Sequence, residues 1–169
     1  MALLVRTWNL FHGNALPPER RAYLREMIEL VTADDPDVVC LQEVPGWALG
    51  RLEAWSGMQA LGAIAAPPRL GSAELGRWIT ELHHGILRSA VTGEGLAILV
   101  ARRHGVAAHS TKPVGPNRVL LGVELEDGIY VGDFHVTGGE VAQEQFARVV
   151  DLAEGDSVVL AGDVNLRPP

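Results

Sequence analysis

Asp37-Val38-Val39-Cys40-Leu41-Gln42-Glu43-Val44 is a short apolar run that follows a proline turn, Asp34-Asp35-Pro36, and gives out on two polar side chains, Gln42 and Glu43. A run of this length bounded by a turn reads as a buried strand. Working upstream, Ala2 to Leu10 is rich in Leu, Val and Trp and meets His12-Gly13-Asn14, which predicts a first strand ending in a loop. Pro17-Pro18 then opens a helix over Glu19 to Ala33, where Tyr23, Leu24, Met27, Ile28, Leu30 and Val31 recur at helical spacing and Arg20, Arg21, Arg25, Glu26 and Glu29 take the other face. Strand, helix and strand in this order predict a parallel pair.

Downstream, Pro45 to Met58 reads as a second helix with Ala48, Leu52 and Trp55 inward, and Gln59 to Ala66 as a strand or a loop. Leu75, Trp78, Ile79 and Leu82 suggest a further helix before a turn at Gly93-Glu94-Gly95, and Leu96 to Ala101 a buried strand. Arg118 to Glu126 and Ile129 to Val136 flank Asp127-Gly128, a pair suited to the positive φ angles of a tight hairpin. A helix over Glu140 to Glu154, with Val141, Phe146, Val149 and Val150 inward, precedes a last strand at Ser157 to Ala161. A hairpin among alternating helices and strands implies a mixed sheet or two packed sheets in one α/β domain over residues 1–169.

The 169 residues are 47% hydrophobic and 21% charged, the composition of an ordinary globular domain. The longest apolar run, Leu96 to Ala101, is far short of the roughly 18 to 20 residues that span a bilayer, so no transmembrane segment is expected. Arg6 and Asn9 interrupt what would be the apolar stretch of a signal peptide, and a cytoplasmic location is the expectation. One cysteine, Cys40, excludes an intrachain disulfide and a cysteine-rich zinc site. Fourteen basic residues, of which only Lys112 is a lysine, against 21 carboxylates leave a net charge of −7, which argues against non-specific coating of a polyanion.

The sequence has no G-x-x-x-x-G-K-[ST], H-E-x-x-H or G-x-S-x-G, and Gly93-Glu94-Gly95 precedes a strand where a dinucleotide loop would follow one. What remains is polar residues where apolar strands run out: Asn9, Gln42-Glu43, His135, and Asp163 with Asn165. Asp163 and Asn165 are two apart, so in extended backbone a carboxylate and an amide project to one side. Oxygen ligands of this kind suit Mg²⁺ or Mn²⁺, and Glu43 would add a second carboxylate. Taken singly, Asp and Asn after a strand are ordinary turn formers and Glu there ordinarily faces solvent.

Thr7-Trp8-Asn9, Asp37 to Val44, Asp133-Phe134-His135-Val136 and Gly162-Asp163-Val164-Asn165 together resemble, in order and spacing, the successive motifs of the endonuclease/exonuclease/phosphatase superfamily. The resemblance implies a DNase I-like sandwich of two mixed β-sheets flanked by helices, hydrolysing a phosphate ester with Mg²⁺ (or Mn²⁺). It matches Glu43 to the metal-binding glutamate with Asn9 beside it. Asp163 and Asn165 match the pair that positions the attacking water and the phosphate, His135 a histidine kept in the diesterase-like branches, and Arg118 a phosphate-contacting arginine. A solvated strand-edge arginine is the alternative for Arg118. The usual polar site residue between Gln-Glu and the G-x-A strand has one candidate, Glu94.

Members of the family continue past G-D-x-N to a terminal S-D-H motif, whereas this sequence stops at Arg167-Pro168-Pro169. The expectation is a C-terminally incomplete domain, weak or inactive unless another chain or residue substitutes: a fragment, a naturally shortened homologue, or a protomer completed by self-association, which an open sheet edge favours. The functional expectation is a divalent-metal-dependent phosphodiesterase acting on nucleic acid, a phospholipid headgroup or a small molecule. The alternative is a non-catalytic binding or scaffold module that keeps the fold.

Overall fold

The structure is a computed structural model, and it describes residues 2–14, 23–68, 77–78 and 92–165. β1 (Val5–Asn9), α1 (Leu24–Thr32), β2 (Val38–Val44), α2 (Leu52–Ser56), β3 (Gln59–Ala66), β4 (Glu94–Val100), β5 (Val106–Gly115), β6 (Arg118–Leu125), β7 (Ile129–His135), α3 (Val141–Leu152) and β8 (Ser157–Asp163) follow in chain order. They form two four-stranded sheets, β1-β2-β4-β3 and β5-β6-β7-β8. Each sheet is mixed: β1 runs parallel to β2 and β7 to β8, while the other neighbours are antiparallel.

The two-residue period of a strand sorts the core. Val39 and Leu41 point outward from the first sheet onto Leu24, Ile28 and Val31 of α1 and Leu52 of α2. Val38 and Cys40 point the other way, into the space between the sheets, with Leu96, Ile98 and Val100 of β4 and Leu121, Val123 and Val131 of the second sheet. Beyond the second sheet, Leu120 and Phe134 pack under Ala142, Phe146 and Val149 of α3. β4 is buried along its whole length, as a central strand between two cores should be.

Several expectations change in the structure. Pro45 to Met58 is a tight turn of helix at Gly46–Arg51 followed by the five-residue α2, which Gly57 ends in the left-handed region at φ 71°. Gln59 to Ala66 is a strand. Glu94 and Gly95 belong to β4, the turn being confined to Gly93 at φ 67°. β5 was not anticipated: Ala, His, Ser, Thr, Lys and Pro hide it from a hydrophobic pattern, and Lys112 and Pro113 suit the sheet edge it forms. Leu30, Val141 and Val150 face outward, because α1 and α3 each bury a narrower stripe than the count of apolar residues suggests. The Asp127-Gly128 hairpin is present, with Gly128 at φ 82°. The helix read around Leu75 to Leu82 lies outside the described residues apart from Arg77 and Trp78.

A charged knot fastens the start of β2. Asp37 accepts hydrogen bonds from His104 Nε2 (2.6 Å), the Leu4 N–H (2.7 Å) and Arg103 Nε (2.9 Å), and Arg103 also reaches Asp35. The His104 bond first, then the Leu4 N–H and Arg103, lower the Asp37 carboxyl to about 2. Its stabilisation is complete above the ordinary carboxylate value and is lost as pH falls from about 4 to about 2. Thermal denaturation as a function of pH should show this acid loss, and Asp37→Asn should make it shallower.

On the outer face of the second sheet Tyr130 lies across Gly122, where a Cβ would stand 2.0 Å from the tyrosine hydroxyl oxygen. Gly122→Ala should therefore destabilise the fold by about 1 to 3 kcal/mol in urea denaturation.

Candidate active site

The inner columns of β1, β2, β4, β7 and β8 are largely apolar, Thr7 and Asp133 excepted, and each carries a polar side chain at one end of the sandwich. Val5 and Thr7 lead to Asn9, Val38 and Cys40 to Gln42, Val131 and Asp133 to His135, and Val159 and Ala161 to Asp163. β4 runs the opposite way and so begins at this end, with Glu94 standing before Leu96, Ile98 and Val100. Polar groups from both sheets thus meet over the end of a dry core.

Glu43 should alternate to the outer face, but a bulge between Leu41 and Val44 and a positive φ of 52° re-aim it. Backbone in the left-handed region costs a non-glycine residue about 1 kcal/mol or more, and it recurs here at Phe11, His12 and Asn165. Among the described residues, four of the six non-glycine residues with positive φ border this site.

Asn9 is the hub. Its Nδ2 donates to Glu43 Oε1 (3.0 Å) and across the sandwich to Asp163 Oδ2 (2.9 Å), while its Oδ1 accepts the Phe11 N–H (2.9 Å). Two carboxylates therefore face each other with one amide between them. His135 Nε2 lies 3.9 Å from Glu43 Oε1 and 3.8 Å from Asp163 Oδ2. Asp163, with 30% of its side chain exposed, is the open side of the cluster, and Glu43, at 17%, the closed side.

The orientation of His135 follows from its neighbours. Asn165 Nδ2 donates to the Val136 carbonyl (3.0 Å), which fixes the amide, and its second N–H points to His135 Nε2 (2.9 Å). Nε2 is then the acceptor, and the proton sits on Nδ1, which donates to Glu94 Oε1 (2.9 Å). The same oxygen accepts Arg118 Nη1 at 2.7 Å. Burial would raise the Glu94 carboxyl, but the His135 hydrogen bond and the Arg118 charge outweigh it and hold Glu94 below its ordinary value. Asn165, His135, Glu94 and Arg118 thus form one continuous relay.

The structure brings Asn9, Glu43, His135, Asp163 and Asn165 into one cluster. It places Arg118 beside them but turned onto Glu94 and the Asn117 carbonyl. Glu94, for which the sequence offered only a candidate's place, is at the centre of the relay; its position two before Leu96 on the inner column is the signal that finds it. His12 and Asp133 carry no earlier assignment. His12 is buried, with Nε2 3.7 Å from Glu43 Oε2. Asp133 is fully buried below the cluster and accepts Gln42 Nε2 at 2.6 Å; burial pushes its carboxyl well up, against the pull of that bond.

The donor set suits a hard divalent cation. Mg²⁺ keeps most of its water and asks for one or two carboxylates, which Glu43 and Asp163 offer. Among the described residues no three His, Cys, Asp or Glu side chains are placed to hold a metal ion together. Asn9 as a ligand would have to offer the oxygen that now takes the Phe11 N–H.

Two mixed four-stranded sheets packed face to face, with helices outside and an acidic, histidine-bearing cluster at one end, define a DNase I-like fold. The model of the endonuclease/exonuclease/phosphatase family matches residues 7–169, and the chain belongs to that family. Among solved structures it is similar to an endonuclease/exonuclease/phosphatase from Beutenbergia cavernae DSM 12333, with TM-score 0.71, 21% identity, and coverage of 97% of this chain and 47% of that one. It is also similar to D. rerio TDP2 complexed with a single-strand DNA product (TM-score 0.65, 20% identity, 98% of this chain and 62% of that one). A third is ANGEL2, a 2′,3′-cyclic phosphatase (TM-score 0.56, 17% identity, 84% and 43%). The chain thus spans about half to two thirds of the length of these proteins. Comparison with curated protein sequences finds no match. Among the described residues no helix is long and apolar enough to cross a membrane.

Glu94→Gln removes a buried charge from between Arg118 and His135. It should destabilise the fold by about 2 to 4 kcal/mol in urea denaturation, because the Arg118 guanidinium is left without its counter-charge.

Proposed function

We propose that these residues form the cation- and water-handling part of a phosphodiesterase site. The observation that carries this reading is the Asn9 amide held between Glu43 and Asp163, with His135 Nε2 within 4 Å of both carboxylates. A bound Mg²⁺ or Mn²⁺ supplies positive charge against the negative charge that gathers on phosphoryl oxygens in the transition state. Glu43 and Asp163 would hold it, with Asn9 keeping the two carboxylates apart and aligned. Asp163, the more open carboxylate, orients the attacking water. His135 accepts a proton at Nε2, and Glu94 stabilises the positive ring that results; this is the usual division of labour between a histidine base and the carboxylate behind it. Asn165, whose two N–H groups are taken by the Val136 carbonyl and His135 Nε2, orients the His135 ring.

A small phosphodiester is favoured over a long polyanion by the net charge of −7. Arg118, the arginine beside the cluster, is committed to Glu94. Cys40, buried and unpaired, suits the reducing cytoplasm, which we take as the setting. β1 and β8 are sheet edges that lie close together, and pairing of a second chain there is part of the same reading. Light scattering that returns a monomer at all concentrations would remove that part.

Calorimetric titration of Mg²⁺ and Mn²⁺ should show saturable binding that Glu43→Gln abolishes. Hydrolysis of bis(p-nitrophenyl) phosphate should depend on the ion and fall by about 100-fold or more in Asp163→Ala and His135→Ala. Binding without turnover, unaffected by either variant, would assign the chain to the non-catalytic alternative. Absence of Glu43-dependent binding would overturn the proposal.

A further inference from the structure

We infer that Gln145 is a positioning residue for the His135 site: its buried amide clamps the loop that follows β7 and, through it, holds Asn165 against the His135 ring. This rests on the reading above of His135 as the base. It concerns a side chain on α3 whose hydrogen bonds go to Thr137 rather than to the cluster itself.

Ala142, Gln145 and Val149, three and four residues apart, are the buried stripe of α3, which packs over Leu120 and Phe134. An apolar side chain would ordinarily stand at position 145. Burying an amide costs free energy unless its polar atoms are paired, so the bonds it makes decide whether it can stay. Gln145 Oε1 accepts the Thr137 N–H at 2.7 Å, and Nε2 donates to Thr137 Oγ1 at 3.3 Å. A backbone N–H can only donate, which settles the two ends of the amide.

The Thr137 N–H and the Val136 carbonyl belong to a single planar peptide unit. Gln145 holds one side of that plane; on the other, the Val136 carbonyl accepts Asn165 Nδ2 at 3.0 Å. The second N–H of the same amide meets His135 Nε2 at 2.9 Å. The path from α3 to the imidazole is therefore one rigid plane and one fixed amide long. Beyond Thr137 come two exposed glycines, Gly138 and Gly139, the latter at φ 92°. Glycine backbone is permissive, and the clamp stands between that freedom and the His135 end of β7.

Gly115 makes room for the clamp. A Cβ there would stand 2.6 Å from Gln145 Nε2. Gly115 lies outside the left-handed region, so what this glycine supplies is space rather than backbone freedom. It ends β5, in the hairpin whose next strand opens with Arg118. One side chain thus lies between the hairpin that presents Arg118 and the loop that leaves His135, the two residues that Glu94 joins. A ring held this closely depends on its supporting shell, and small displacements of such a shell are felt in turnover.

Magnetic resonance of the full chain carrying isotope-labelled histidine reads the ring without turnover, its signals assigned by their loss in His135→Ala. The wild-type chain should show His135 as one tautomer, protonated on Nδ1. Gln145→Met keeps the volume and loses both bonds; it should divide the ring between its two tautomers. It should also lower kcat on bis(p-nitrophenyl) phosphate by about 10-fold while KM stays within about 2-fold. Gln145→Glu, which still accepts the Thr137 N–H, should restore both. An unchanged ring in folded Gln145→Met, or an unchanged kcat, overturns the inference and leaves the phosphodiesterase reading standing. If the wild-type chain hydrolyses no phosphodiester, that reading falls, and the ring spectrum alone decides whether Gln145 sets the imidazole. Should Gln145→Met not fold, Gly115→Ala, which displaces Nε2 without removing the amide, is held to the same outcomes.

Discussion

The alternation of a β-strand, carried by both sheets to the same end of the sandwich, governs everything else in this molecule. Positions facing the space between the sheets are mostly apolar, Thr7 and the fully buried Asp133 excepted, because two sheets about 10 Å apart leave little room for water. Where the column ends, the constraint lifts, and each strand uses that last inward position for a polar side chain: Asn9, Gln42, Glu94, His135, Asp163. Five strands converge there, so the polar residues form a layer, and the layer is held by its own hydrogen bonds. The single amide of Asn9 serves both sheets at once, donating to Glu43 of one and Asp163 of the other.

Beneath that layer the Gln42 to Asp133 bond crosses from β2 to β7 in full burial. A charged carboxylate there would be costly, and burial favours its neutral form. The bond ties β2 to β7 directly beneath Glu43 and Asp163. Local electrostatics and core packing meet at this one contact, and the site above inherits its alignment from it.

Much of this was legible in the sequence, for identifiable reasons. Asn9, Glu43, His135 and Asp163 each stop an apolar run, and that pattern placed them together without any knowledge of the sheets. β5 escaped because an edge strand half in solvent carries no hydrophobic rhythm. Arg118 was readable as a residue at the right end of the hairpin but not as the partner of Glu94, since the direction of a guanidinium depends on a carboxylate 24 positions away. His12 was invisible for a different reason: nothing in Phe11-His12-Gly13 announces three positive φ angles, two of them on residues that disfavour them. The outward-facing Leu30, Val141 and Val150 show the opposite error, in which apolar residues overstate the width of a buried stripe.

The Asn9 fork has a thermodynamic consequence. Its two acceptors belong to different sheets, so whatever fills the space between Glu43 and Asp163 contributes a cross-link to the sandwich as well as occupying a site. Ligand affinity and global stability are then linked functions, and occupancy raises the free energy of unfolding by RT ln(1 + [L]/Kd). The end of the sandwich where two carboxylates repel one another is the part of the fold that gains most from saturation. There the lifetime of the native state becomes a measure of how often the site is filled.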